Sequence, residues 1–171
     1  MKKFFIKIGI VGLIITFVIA SFSFLVQAEK KKISGVDTVG PVISQTVASP
    51  GNTPNHQIVL RVVTNMGTST DPDLGNFEQT AYELVDEVAG SGTHRGYGNN
   101  LHKNGDRTYG QFEGTHKTTV KEDGSWEATW EGTWKFVGGT GKFKNIKGGG
   151  TYKGKATPTG GTTTWEGEVE Y

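Results

Sequence analysis

Residues 125–137 read Ser-Trp-Glu-Ala-Thr-Trp-Glu-Gly-Thr-Trp-Lys-Phe-Val, and the alternation within them decides the fold. Every second residue gives Trp126, Ala128, Trp130, Gly132, Trp134 and Phe136, while Glu127, Thr129, Glu131, Thr133 and Lys135 fall between them. On a helix alternate positions lie roughly 200° apart and the two sets would mix, whereas a pleated strand keeps them on opposite faces. The segment reads as a β-strand whose tryptophans share one side and look toward a common interior. Residues 162–171 repeat the arrangement, with Trp165, Val169 and Tyr171 opposite Thr164, Glu166, Glu168 and Glu170.

Turn signals on either side of this strand divide the rest of the chain. Asn104-Gly105 separates 93–101 from 107–120, and Asn-Gly accepts positive φ at the centre of a tight hairpin, so these two segments are expected to pair antiparallel. Asp123-Gly124 divides Val120 from Trp126, and Pro158 to Gly161 divides 150–157 from 162–171. Upstream, Tyr82, Leu84 and Val88 share one parity with Asp86 as the exception, and Gly90-Ser91-Gly92 closes that strand. His56 to Thr64, with Ile58, Val59, Leu60, Val62 and Val63, reads as a short buried strand, and Asn65 to Gly75, containing Pro72, as a loop. From Glu29 to Asn55 the chain is rich in Val, Ser, Thr, Gly and Pro and reads as a tether holding at most one short strand at Val42 to Val47.

Strands joined by short hairpins, with no amphipathic helix, give an up-and-down antiparallel sheet, and closure removes the two edges an open sheet would expose. The expected fold is therefore all-β, a single barrel of roughly eight strands. Gly110, Gly114, Gly132, Gly154 and Gly167 recur inside strands, where glycine is normally unfavourable. Strong bending at barrel corners and room for facing tryptophans are the two reasons expected for them.

The first 28 residues read as a targeting segment: Lys2 and Lys3 follow Met1, an apolar run extends from Ile8 to Val26, and Val26-Gln27-Ala28 has the small-x-small form of a processing site. Cleavage after Ala28 would place the remainder outside the cytoplasm, secreted or periplasmic. The run also matches the length a bilayer requires, so an uncleaved membrane anchor carrying an extracytoplasmic barrel is the alternative. The expected organisation is 1–28 as signal peptide or anchor, 29–55 as flexible tether and 56–171 as the barrel domain. With no cysteine, a disulfide framework is excluded and a packed core must hold the fold.

Without Lys2, Lys3 and Lys7 the chain keeps fifteen basic residues against seventeen acidic ones, and Lys30 to Lys32 is its one dense basic cluster. That balance argues against nucleic acid, whose binding is dominated by phosphate neutralisation. The cluster reads as a solvated terminus. Among the four histidines, His56, His94, His102 and His116, none forms a His-x-His or His-Glu-x-x-His spacing, so no metal site and no cofactor is expected. A phosphate loop around Gly141-Lys142 fails because Phe143 follows the lysine and Phe136 occupies the place of the first glycine.

The stretch Val137-Gly138-Gly139-Thr140-Gly141-Lys142-Phe143, followed by Gly148-Gly149-Gly150-Thr151-Tyr152, resembles the Gly-rich crossing between strands in the barrel superfamily of allene oxide cyclases and plant dirigent proteins. The wider segment from His94-Arg95-Gly96-Tyr97 to Tyr152 is similar to related exported bacterial proteins of unknown function, and the resemblance covers roughly the final 90 residues. It implies a barrel that works by shaping a cavity, around a fatty-acid epoxide in the cyclases or around coupling phenols in the dirigent proteins. The residues that carry those chemistries lie outside the Gly-rich signature, so none is transferred. Physically, the glycines let the chain leave one strand, turn compactly, and seat Phe143 and Ile146 as a plug over the barrel end.

The first functional expectation is thus a binding barrel, its cavity lined by Trp126, Trp130, Trp134 and Phe112 and holding a small apolar or aromatic ligand. Arg95 and Tyr97, with Asn99, would add a positive charge and donors for a ligand carboxylate or hydroxyl if they face inward, and are surface residues if they face outward. Glu113 is either the buried partner of Arg95 or a surface carboxylate, and His116 turns inward if Phe112 does. An isomerase or cyclase, by resemblance, and a barrel filled by its own tryptophans with a structural role are the alternatives. No local context of a nucleophile elbow supports acyl-transfer hydrolysis.

Overall fold

Each turn signal read above joins two neighbouring strands. The computed structural model describes residues 29–171, and the targeting segment expected at 1–28 lies outside the described residues. Eight strands run in chain order: β1 (Lys31–Ala48), β2 (His56–Ser69), β3 (Asn76–Val88), β4 (Ser91–His102), β5 (Arg107–Val120), β6 (Trp126–Gly139), β7 (Lys147–Thr157) and β8 (Gly160–Glu170). Each pairs antiparallel with the next, and β1 pairs with β8 to close the barrel. Among the described residues no helix is long and apolar enough to cross a membrane.

Three expectations need correction. The supposed tether at 29–55 supplies β1, a full barrel strand paired with β2 on one side and β8 on the other. Pro41 ends no element, because it sits where the β1–β2 register shifts and the missing N–H costs no ladder bond. β2 runs on to Ser69, so the loop before β3 shrinks to 70–75. The hairpin at Asn104-Gly105 has positive φ at Gly105 alone, with Gly105 N–H donating to His102 C=O and His102 N–H to Asp106 C=O, a three-residue loop with a glycine bulge. Two consecutive positive φ values occur instead at Ala89 (50°) and Gly90 (77°), which make the tight turn between β3 and β4.

Alternation along β6 is as read: Trp130, Gly132, Trp134 and Phe136 are half-buried on the inner face and Glu131, Thr133 and Lys135 exposed. On β3 the apolar parity turns outward. Tyr82 and Val88 are exposed and Leu84 half-buried, while Ala81, Glu83, Val85 and Glu87 point in. Register sets Val62, Tyr82 and Tyr97 side by side on the outer face, and Leu60 beside Leu84.

One end of the barrel is sealed. Phe143 is fully buried in the short 3-10 turn Gly141–Phe143 and packs with Ile33, Leu74, Ile146 and Val169, so Phe143 and Ile146 form the plug the Gly-rich crossing was expected to seat. Asp71 pins the neighbouring loop: its Oδ1 accepts from Asp73 N–H, Leu74 N–H and the Tyr171 hydroxyl, and Lys31 approaches its other oxygen. Burial raises this carboxyl, but the hydrogen bonds from Tyr171, Leu74 and Asp73 and the Lys31 charge outweigh it and hold Asp71 below the usual carboxylate range. Lys31 and Lys32 of the basic cluster are exposed residues of β1.

Candidate ligand-binding cavity

Rows of residues in register across β4 to β7 show why glycine is placed where it is. The row His94, Gly114, Gly132, Tyr152 sets two glycines between two large side chains. Tyr152 lies across the glycines, where any Cβ would strike its hydroxyl, and meets His94 Nε2 at 2.6 Å. Next to it, Gly92, His116, Trp130 and Gly154 form a row in which the Trp130 indole fills the space a Cβ on Gly154 would need. Glycines stand beside the large side chains in both rows, so that Tyr152 and Trp130 lie over the wall and leave the centre open.

What remains is a cavity of about 800 Å³. Phe112, Trp126, Trp130 and Trp134 all line it, with Phe77, Tyr152 and Trp165 completing the aromatic wall. Trp126 is 37% exposed, at the end opposite the Phe143 plug. Beyond Val39, β1 has no partner on β8, so the wall is lower there and Gly40, Val42 and Gln45 border the entrance. The barrel is not filled by its own tryptophans.

Two of the expected site residues lie elsewhere. Arg95 and Tyr97 are on the outer face, Tyr97 59% exposed, because the inward parity of β4 belongs to His94, Gly96, Gly98, Asn100 and His102. Asn99 is outward too, accepting from Arg107, and Glu113 stands opposite Arg95 outside the barrel as a surface carboxylate. His116 turns inward with Phe112.

The polar lining comes mostly from residues the sequence did not single out. Arg61 Nε donates to Glu83 at 2.6 Å, and His116 Nε2 lies 2.8 Å from Glu87. Since a carboxylate only accepts, His116 Nε2–H is the donor, and the buried Nδ1 has no partner among the described residues. A directional relay runs along the wall: Asn65 donates to Gln79, Gln79 to Asn100, and Asn100 to Thr108. Thr108 lies 3.0 Å from His102 Nε2, whose Nδ1–H donates to Leu74 C=O. Burial lowers the pKa of both His94 and His102, which keeps them neutral as the relay and the Tyr152 contact require. Burial also raises the Tyr152 hydroxyl above the ordinary tyrosine range, so it stays the donor to His94.

Asp37 of β1 is the most perturbed acid of the wall. It is 8% exposed, its Oδ1 accepts from Trp165 Nε1 at 2.9 Å, and burial, partly opposed by that hydrogen bond, pushes its pKa up to about 6. Among the described residues no hydrogen bond reaches its other oxygen. Arg61, Glu83 and Glu87 were legible only through β-sheet register, since Arg61 and Glu83 face each other across β2 and β3. Asp37 was hidden in the segment read as a tether.

No family model matches the chain, and no curated protein matches it. Among solved structures it is similar to the pterocarpan synthase dirigent protein PsPTS1, at 15% identity over 85% of this chain and 97% of that one, with a TM-score of 0.47. It is also similar to the pterocarpan synthase dirigent protein GePTS1, at 13% identity over 91% of this chain and 99% of that one, again with a TM-score of 0.47.

Proposed function

We propose that this protein is an exported binding barrel that takes a small apolar or aromatic ligand into its interior. The observation that carries the reading is the aromatic cavity of about 800 Å³, sealed by Phe143 at one end and bordered by Trp126 at the other. Such a volume falls within the roughly 300–1,000 Å³ of ligand pockets, whose walls are typically apolar with a few placed polar groups. Export rests on the targeting character of 1–28.

Tryptophan emission tests it directly, because three of the four indoles lie on β6 and line the space a ligand would occupy. Titration with a broad panel of lipids and aromatic compounds is expected to give a saturable shift or quench for some member. Trp130→Ala is expected to weaken that binding by about tenfold, the loss of one stacked ring. Unchanged emission across the whole panel, with no heat of binding, would rule the reading out.

A second reading, an isomerase or cyclase acting on a lipid-like or phenolic substrate, is favoured by one feature. Asp37 stands in the wall with its pKa pushed up to about 6, closer to neutrality as a general acid or base needs. On that reading Asp37→Asn abolishes turnover while ligand affinity survives.

A further inference from the structure

Three carboxylates, Asp37, Glu83 and Glu87, face the cavity, against one inward cation, Arg61. Arg61 is already bonded to Glu83, and Lys135 is exposed between two inward aromatic residues of β6. Three of the indole N–H groups are committed to the wall: Trp130 to Thr163, Trp134 to Thr151 C=O, and Trp165 to Asp37. Among the described residues the interior therefore holds no uncompensated buried cation for a ligand carboxylate, and Arg95, which could have served, is outside. What it does hold is accepting and electron-rich: the second oxygen of Asp37 and the π-faces of the aromatic wall. Around Asp37 these features coincide. Trp165 is bonded to it, and Trp134 and Phe77 lie 5.8 and 6.4 Å from the Trp165 ring.

Resting on the reading of the cavity as a binding site, we propose that its ligand is an organic cation, an apolar or aromatic amine. Its ammonium group seats between the Asp37 carboxylate and the rings of Trp165, Trp134 and Phe77. A positive charge over an aromatic face is attracted by the ring quadrupole, and more strongly where water is excluded. The hydrocarbon body of the ligand extends along Trp130 and Phe112 toward the entrance. A fatty-acid anion in the same place would meet the Asp37 carboxylate, and that repulsion disfavours it.

The test uses phenylbutylamine, phenylbutanol and phenylbutyrate, alike except for the end group, with calorimetry on the purified protein. The amine is expected to bind at least about tenfold more tightly than the alcohol, and the carboxylate most weakly of the three. In Asp37→Asn the preference for amine over alcohol is expected to fall about tenfold while the alcohol affinity stays put, which also reports that the cavity is intact. Glu87→Gln, ten residues along β3 from Phe77, provides a second acid whose removal should lower amine affinity to a smaller degree. Alcohol or carboxylate binding as tightly as the amine, or a preference untouched in Asp37→Asn, overturns the proposal while leaving the binding cavity standing. If none of the three binds and the broad panel also fails, the cavity reading falls with it.

Discussion

Asp37 sits where two protonation states are close in energy. In an unfolded chain its carboxyl ionises near 3.8, whereas burial in the barrel wall holds the proton to about 6. The native state therefore binds the proton more tightly, and the stability this contributes is complete below about 3.8 and lost as pH rises through about 6. A two-unit displacement corresponds to about 3 kcal/mol. An asparagine keeps an acceptor for the Trp165 N–H but cannot titrate. Denaturant unfolding of the natural chain and of Asp37→Asn, each at pH 4 and pH 7, is expected to show the difference swinging by about 2 kcal/mol in favour of the variant at the higher pH. A difference that does not move with pH would mean that Asp37 is solvated. Keeping an acid where its ionised form costs stability is what a binding or catalytic role leads one to expect. The sequence offered no sign of this, because a single aspartate among Val, Thr and Gly has no pattern of its own and gains meaning only from the ring that closes over it.

At the scale of elements, β6 was legible because its outer face is charged and its inner face aromatic, so parity alone assigned both sides. β3 and β4 were not. On β3 the outer face carries Tyr82 and Leu84 while the inner one carries Glu83 and Glu87, reversing the pattern on which parity arguments rest. A cavity with polar walls removes the premise that the inside is dry. Arg95 and Tyr97 were misplaced for the same reason: with glycine at positions 96 and 98, the inward side of β4 has too few side chains to declare itself. The plug was legible, since a run of glycines ending in Phe143 and Ile146 leaves two apolar side chains nowhere else to go. Its removal should be costly. Phe143 is completely buried, with the His102 ring 4.7 Å away and the Tyr171 ring 5.1 Å away. Phe143→Ala is expected to lower unfolding free energy by about 3–5 kcal/mol in chemical denaturation, the range for deleting a buried phenyl ring. A loss below about 1 kcal/mol would show that the end of the barrel closes without it.

For the whole molecule the decisive strand is the one whose composition least resembles a strand. β1 contains Gly35, Gly40 and Pro41, and from Pro41 to Ala48 it is exposed on both sides. It is nonetheless the closure: it is laddered to β8 from Lys31 to Val39 and to β2 from Gly35 to Ala48. It also carries Ile33 into the plug cluster and Asp37 into the cavity wall. Without it β2 and β8 become bare edges, and seven strands cannot close at the same stagger because the register of each pair is set by its neighbours. A chain that begins at residue 29 is therefore expected to unfold in one cooperative transition, and a chain that begins at residue 56 to show neither that transition nor the fixed near-ultraviolet signal of packed tryptophans. Should the shorter chain melt as sharply and at the same midpoint, 29–55 would be the tether its composition suggested, and the barrel would hold together on seven strands.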